Sequence, residues 1–379
     1  MLNEFPYRCL LSILLLTSFP ASAQSGHCLE AFEGGTRAGF IQEIGSIHEN
    51  PRLVGADNGL FEIRGDSLLP IEGGNVAGRI NQIRPQDEVP RYVGAENGLF
   101  LLDDGRLLPV EGAALAGEIL DIRPEGDVPR YVGGYNGLFR IDGNKLVRVE
   151  IEHSDQPIWQ IEPETENPRL VVADGGLFQL HAGELSPVET TGQNPGLISS
   201  IAPEGDTPRI ISTANGLYRL DGEHLLSLEG GDLPQYAWVV RPMHETPRYV
   251  GASNGLFEIE GERVVPIAQG GDAAWITEIR PEIETPRFVS TLNGLSQIKD
   301  GELRSVEGGS VGGEILEIRP EGEIPRFVAT ENGLFEIVGE RLVPVDNSGG
   351  VGAILEIAPQ GEIPRFVGTA TGLFQISSC

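Results

Sequence analysis

Few of the side chains able to do chemistry stand in a pattern that would do it. Six histidines, His27, His48, His153, His181, His224 and His244, are scattered and show no HExxH or other ligand spacing, so no metal site is indicated. There is no GxSxG elbow, and a thiol nucleophile would have to come from Cys28 or Cys379, which read better as a pair. Acidic residues are so plentiful that two could meet as a glycosidase or lyase pair, yet their abundance leaves no pair identifiable. The 56 Asp and Glu against 27 Lys and Arg give a formal net charge of -29. A field of that sign repels phosphate backbones and anionic lipid heads, which argues against nucleic acid and membrane-surface partners and leaves attraction to cations or basic partners.

Three sets of residues remain. At 39-residue intervals, stretched once to 40, the chain reads acid, any residue, Pro, Arg: Glu49 to Arg52, Glu88 to Arg91, Asp127 to Arg130, Glu166 to Arg169, Asp206 to Arg209, Glu245 to Arg248, Glu284 to Arg287, Glu323 to Arg326 and Glu362 to Arg365. Such a series is either a packing device, with Pro opening a strand and Arg joining a local carboxylate, or a ring of guanidinium groups for an anion. Identical placement in every copy favours packing, because a ligand site needs only a few copies.

The second set lies where the copies diverge. Bland segments such as EGGNVAG and EGGSVGG give way in the middle of the chain to EHSDQPIW, ETTGQNPG, GGDLPQYAW and QGGDAAW. These hold all three tryptophans, Trp159, Trp238 and Trp275, with Tyr236, His153, Asp155, Gln156, Gln193, Asn194 and Asp272. Aromatic platforms beside short polar groups suit a carbohydrate or a protein loop. The competing reading is that Trp159 and Trp238 take the strand position of Leu120 or Leu316 and fill space. A third set, Glu43, Gln82, Asp121, Gln160, Ser200, Glu278, Glu317 and Glu356, interrupted by Val239, falls between regularly placed apolar residues and is expected to line a solvent-filled channel.

All three sets are positioned by one repeat. The glycines of a near-constant Asn-Gly-Leu-Phe, Gly59, Gly98, Gly137, Gly176, Gly216, Gly255, Gly294, Gly333 and Gly372, mark nine copies of a 39-residue unit. Around Gly333 a copy reads GGEILEIRP, IPRFVAT, GLFEIV and RLVPV, four short runs rich in β-branched and aromatic residues, bounded by Gly, Pro or Asn. Asn-Gly between the second and third runs, and Asp142-Gly143 or Gly339-Glu340 between the third and fourth, predict tight hairpins. Each unit is thus a four-stranded meander. Its third strand is apolar on both faces, with Phe61 and Ile63 on one and Leu60 on the other, so both faces must be covered. Radial stacking around an axis achieves that, and small residues such as Gly55, Gly94 and Gly133 relieve crowding where units converge.

The ends predict closure. The last copy stops after its third strand, at GLFQISSC, while CLEAFEGG matches the fourth strand of other copies, such as SLLPIEGG. In the repeat frame Cys379 falls at the position of Asp66 and Cys28 at that of Ser67, so the N-terminal segment should complete the last blade and a Cys28 to Cys379 disulfide should staple the seam. Closing so long a loop is worth about 4 to 5 kcal/mol in chain entropy. The expected fold is all-β, a closed propeller of nine four-stranded blades.

Residues 9 to 19, CLLSILLLTSF, followed by Ala21-Ser22-Ala23, read as a signal peptide over residues 1–23, leaving 24–379 as one propeller domain in a periplasm or outside the cell, with no membrane insertion after cleavage. The units resemble the short extracytoplasmic β-propeller repeats of the two-component-regulator type. The likeness rests on Asn97-Gly98-Leu99-Phe100 and the following Asp104-Gly105. It departs where that family's second strand ends in Trp-Ile-Gly-Thr and this chain has PRYVGA or PRFVAT. The resemblance implies an extracytoplasmic sensing or binding platform. The expectation is therefore a noncatalytic, cofactor-free scaffold for a protein or glycan, with an extracellular carbohydrate-active hydrolase or lyase as the alternative.

Overall fold

The computed structural model describes residues 25–379 apart from 48–49, 85–90, 126–127, 150–155, 163–168, 175, 182–183, 192–194, 205–206, 231–233, 242–248, 270–272, 281–287, 311–312, 320–326 and 361–362. The predicted signal segment lies outside the described residues. The chain forms nine antiparallel sheets arranged as the blades of a propeller. Blade 1 runs outward from Ile41–Ile47 through Asn50–Ala56 and Gly59–Arg64 to Ser67–Pro70. Blades 2 to 8 repeat that order from the innermost strands Ile80–Arg84, Ile119–Glu125, Ile158–Glu162, Ile198–Glu204, Ala237–Arg241, Ile279–Arg280 and Ile315–Arg319.

Blade 9 is composite, as the ends of the sequence predict. Its strands Ile354–Gln360, Ile363–Thr369 and Gly372–Ser378 are completed on the outside by His27–Ala31. Cys28 stands opposite Ser377 in the same register that sets Ser67 opposite Arg64 in blade 1. The disulfide between Cys28 and Cys379 joins Cα atoms 5.3 Å apart and 351 residues distant in sequence.

Closure shows equally in the packing. Nine apolar clusters are each shared by two adjacent blades: Leu53 and Leu60 of blade 1 pack with Ile80, Val93 and Phe100 of blade 2, and Phe366 and Leu373 of blade 9 pack with Ile41 and Val54 of blade 1. Sheets apolar on both faces need such neighbours. The small residues of the second strands serve the convergence as expected. A Cβ at Gly55, Gly94 or Gly251 would lie 2.7, 2.7 or 2.5 Å from the side chain of Ile80, Ile119 or Ile276 in the following blade. Gly251→Val is accordingly expected to cost about 1 to 3 kcal/mol through overpacking. A urea midpoint equal to that of the parent would refute that role.

Two details differ from the sequence reading. The hairpin between the second and third strands has Asp57 and Asn58 as its loop, and the positive φ belongs to Gly59 alone, which opens the third strand at φ 113°. That glycine is required because a Cβ would sit 2.5 Å from the carbonyl oxygen of Gly74, while the Asn58 amide donates to the Arg37 carbonyl at 3.0 Å. Blade 5 also carries a fifth strand, Glu189–Thr191, parallel to its outermost strand His224–Ser227. In other blades the same contact is a single bridge, as between Glu72 and Arg106, and the extension falls in the one repeat that is a residue longer.

Candidate ligand-binding face

One end of the propeller is built from the segments entering each innermost strand and the hairpin tips between the second and third strands. A recurring backbone bond holds the two together: Asp57 donates to Phe40, Glu96 to Arg79, Tyr135 to Glu118, Ala214 to Leu197, and Glu331 to Glu314, at 2.8 to 3.1 Å. The residues three positions before the third set of the sequence reading therefore share this face with the tips. In blades 1 to 3 they are Phe40, Arg79 and Glu118, and in blade 8 Glu314. In blades 5, 6 and 7 they are Leu197, Tyr236 and Trp275, exposed by 80%, 51% and 51%. The tip of blade 7 adds Leu292, 63% exposed.

Tyr236, Trp238 and Trp275 form a stack across the junction of blades 6 and 7. Ring centroids are 6.0 and 6.2 Å apart, with 20° between planes at both steps. Tyr236 and Trp275 have φ of 45° and 56°, a backbone region that large side chains rarely occupy. The cause lies one residue earlier. Most copies place a left-handed glycine there, such as Gly78, Gly117 or Gly313, but blades 6 and 7 have Gln235 and Ala274, and the left-handed turn moves onto the aromatic residue. In that geometry the backbone N–H groups of Tyr236 and Trp275 reach the previous blade's tip, donating to Ala214 at 3.2 Å and Ser253 at 3.1 Å. Strain of this kind persists only where surrounding structure fixes it, and it concentrates at sites of function. The Trp238 indole nitrogen is enclosed and has no hydrogen-bond partner among the described residues.

Of the remaining predicted site residues, Trp159 is 50% exposed and donates its indole N–H to Asp174 Oδ1 at 2.7 Å, across the same face. It is not brought into the stack; blade 5 stands between. Gln156 is half-buried, with Oε1 enclosed and without a partner among the described residues. His153, Asp155, Gln193, Asn194 and Asp272 lie outside the described residues. So do Glu49, Glu88, Asp127, Glu166, Asp206, Glu245, Glu284, Glu323 and Glu362, and the side chains of Arg52, Arg91, Arg130, Arg169, Arg209, Arg248, Arg287 and Arg326. Arg365 is described: its guanidinium lies 5.6 Å from the Phe366 ring centroid and donates to the side-chain oxygen of Gln375, on the adjacent strand, at 3.0 and 3.2 Å.

The axial ring does more than the sequence reading expects of it. The free edge of an innermost strand offers backbone N–H groups to no ladder partner, and at five junctions among the described residues a side chain of the preceding blade takes one. Glu43 accepts from the N–H of Ile83 at 2.6 Å, Gln82 from Ile122 at 2.7 Å, Asp121 from Ile161 at 2.7 Å and Glu317 from Ile357 at 2.6 Å. Glu356 accepts from Ile44, carrying the relay across the seam. Glu43, Asp121 and Glu317 are buried, so they are not the solvated channel wall that composition suggests. Guanidinium groups compensate part of this charge: Arg84 pairs with Glu43, Arg123 with Asp121 and Glu162, Arg280 with Glu278, and Arg319 with Glu317. Burial pushes Glu278 up to about 7, with Arg280 opposing and Glu317 adding to the rise. Glu356 lies well above the usual carboxylate range, through burial and then the charges of Glu317 and Glu43, and its Oε2 has no hydrogen-bond partner among the described residues.

Leu197, Leu292 and Asp174 escape the sequence reading, although Leu197, Tyr236 and Trp275 occupy the same position of the repeat. No family model and no curated protein matches the chain. Its fold is similar to that of the computationally designed Ika8 protein, at a TM-score of 0.54 and 14% identity over 93% of this chain and 100% of that one. It is also similar to the Dos1 propeller (TM-score 0.48, 12% identity, 92% of this chain and 95% of that one). A third similar structure is the extracellular domain of BT3049 from B. thetaiotaomicron, which carries the description of a hybrid two component system (TM-score 0.43, 13% identity, 87% of this chain). This chain spans 50% of the length of that structure. At these identities the likeness concerns fold alone. Among the described residues, no helix is long and apolar enough to cross a membrane.

Proposed function

We propose that this protein is a noncatalytic binding scaffold whose ligand is a protein seated on the arc of Leu197, Tyr236, Trp238, Trp275 and Leu292. The observation that carries the reading is the gathering of exposed apolar side chains, at two equivalent repeat positions, on blades 5 to 7 of one face. Exposed residues standing apart from the arc, such as Val76, Leu115 and Tyr135 at the tip of blade 3, need no explanation, but a patch with a stacked aromatic centre has the composition of an interface hot spot. Aliphatic Leu197 and Leu292 favour protein over glycan, since sugar hydroxyls set against leucine would lose their hydrogen bonds to water without replacement.

The enzyme alternative has less support. Glu278 and Glu356 have the raised proton affinity of a general acid, but both belong to the axial ring, Glu278 held by Arg280 and Glu356 by the Ile44 N–H. Of the described carboxylates bordering the aromatic face, Asp174 is engaged by Trp159, and Glu314 and Glu331 stand at the opposite end of the arc, in blade 8.

A pull-down from the extracytoplasmic fraction of the source cells, using wild type and Leu197→Asp/Trp275→Ala side by side, tests the proposal. Capture of a defined partner should fall at least tenfold in the variant while circular dichroism of the two proteins stays superimposable. Equal capture by both would place the interface elsewhere. A glycan retained by wild type alone would make the arc a sugar platform.

A further inference from the structure

The arc has a charge pattern at its borders that specifies its occupant further, granted the reading that the arc is the binding surface. Beyond Trp275 and Leu292 lies blade 8, whose residues at the same two repeat positions are Glu314 and Glu331, both exposed and joined by the bond from the Glu331 N–H to the Glu314 carbonyl at 3.1 Å. Beyond Leu197, on the other side, lies Asp174, also exposed. At the corresponding positions from blade 4 round to blade 8 the sequence places no lysine or arginine. Further round the face a guanidinium stands among carboxylates: Arg79 donates to Glu118 at 2.7 Å, Asn81 donates to the same carboxylate at 2.9 Å, and Asp57 and Glu96 occupy the tips of blades 1 and 2. The arc is thus an apolar centre between acidic ends, on a molecule whose formal net charge is -29.

We propose that the arc docks a basic, apolar segment of a partner protein, with aromatic or aliphatic side chains against Leu197, Tyr236, Trp275 and Leu292 and lysines or arginines reaching Glu314 and Glu331 at one end and Asp174 at the other. An acidic or phosphorylated segment would meet like charge at both ends, and such juxtaposition excludes partners as effectively as attraction selects them. A basic segment is in addition drawn by the whole molecule's field, which accelerates encounter and makes association sensitive to salt.

The test uses random 12-residue peptides displayed on phage, selected against the purified protein at low salt. Enriched peptides are resynthesised and titrated against wild type, the double variant Glu314→Lys/Glu331→Lys, and Leu197→Asp/Trp275→Ala. The expected result is a set carrying both apolar residues and net positive charge, at least tenfold weaker on the lysine variant and weakened again by 0.5 M sodium chloride, with binding lost on the arc variant. Neutral or acidic peptides that still require Leu197 and Trp275 would overturn the basic segment and leave the arc standing. Peptides that bind the arc variant as well as wild type, or no enrichment at all, would overturn both.

Discussion

Cys379→Ser is expected to lower the stability of the propeller by about 5 kcal/mol, the upper end of what one disulfide contributes, because the loop it closes is so long. The bond spans 351 residues, nearly the whole ring. Without it the strand His27–Ala31 keeps its pairing with Gly372–Ser378 and the contact of Phe32 with Phe366, ring centroids 5.4 Å apart, but must find them from an open chain. The seam should then open before the rest, with hydrogen exchange quickening first at Leu29 and Ile376. Urea midpoints of wild type, wild type with dithiothreitol, and Cys379→Ser decide the matter. The last two should coincide well below the first, and three equal midpoints would show that strand pairing alone closes the ring.

The next largest effect should come from pH, through the axial carboxylates. Glu278 binds its proton up to about 7 in the folded state against an ordinary value of 4.5. Below about pH 4.5 both folded and unfolded chains hold that proton, and its contribution to stability is fully present. As pH rises toward and through 7 the unfolded chain has already released it, and folding must then hold a buried carboxylate charged. Across that window the contribution lost is roughly 3 kcal/mol. Glu356, raised in the same direction, adds to the slope. Glu118 works the other way: burial raises it, but hydrogen bonds from Arg79 and Asn81 and the charge of Arg79 bring it below the usual range. The informative quantity is therefore the difference between wild type and Glu278→Gln. Stability of the variant should change less between pH 4.5 and 7.5, and parallel curves would remove Glu278 from the account.

Much of the architecture was legible because it repeats. Nine glycines at an interval of 39 residues, stretched once to 40, fix the number of blades, and the phase mismatch between GLFQISSC and CLEAFEGG shows where the chain closes. Gly55 and its equivalents could be assigned to the convergence of blades from their size alone, and the contacts with Ile80 and its equivalents agree. The side chains of the axis were harder. Glu43 and Ile83 are 40 residues apart, and the strand that carries Glu43 shifts register between Ile41 and Glu43, which strict alternation along the sequence does not report. Composition reports a ring of acids but not the backbone groups they meet.

The face was half legible for a similar reason. Tryptophan marks itself by rarity, so Trp238 and Trp275 stood out, whereas Leu197 is one leucine among many until alignment places it with Tyr236. The strained backbone of Tyr236 and Trp275 follows from something missing, the glycine that Gln235 and Ala274 replace. The same junction lacks its axial acceptor, since Val239 stands where other blades have a polar group. The stack and the bond from Trp275 to Ser253 therefore also hold blades 6 and 7 together at the point where the relay is interrupted, while the bond from Tyr236 to Ala214 ties blade 6 to blade 5.

The composite ninth blade has a consequence for the order of the chain itself. Because the outermost strand of that blade comes from the other end of the sequence, and Cys28 and Cys379 have Cα atoms 5.3 Å apart, the linear order of the repeats is a cyclic order cut at one place. The cut falls at a turn between third and fourth strands, the same kind of turn that Gly143 makes in blade 3. A circular permutant joined across Cys379 and His27 and reopened at Gly143 would thread the same nine blades, with the seam moved to another part of the rim and the binding face unchanged.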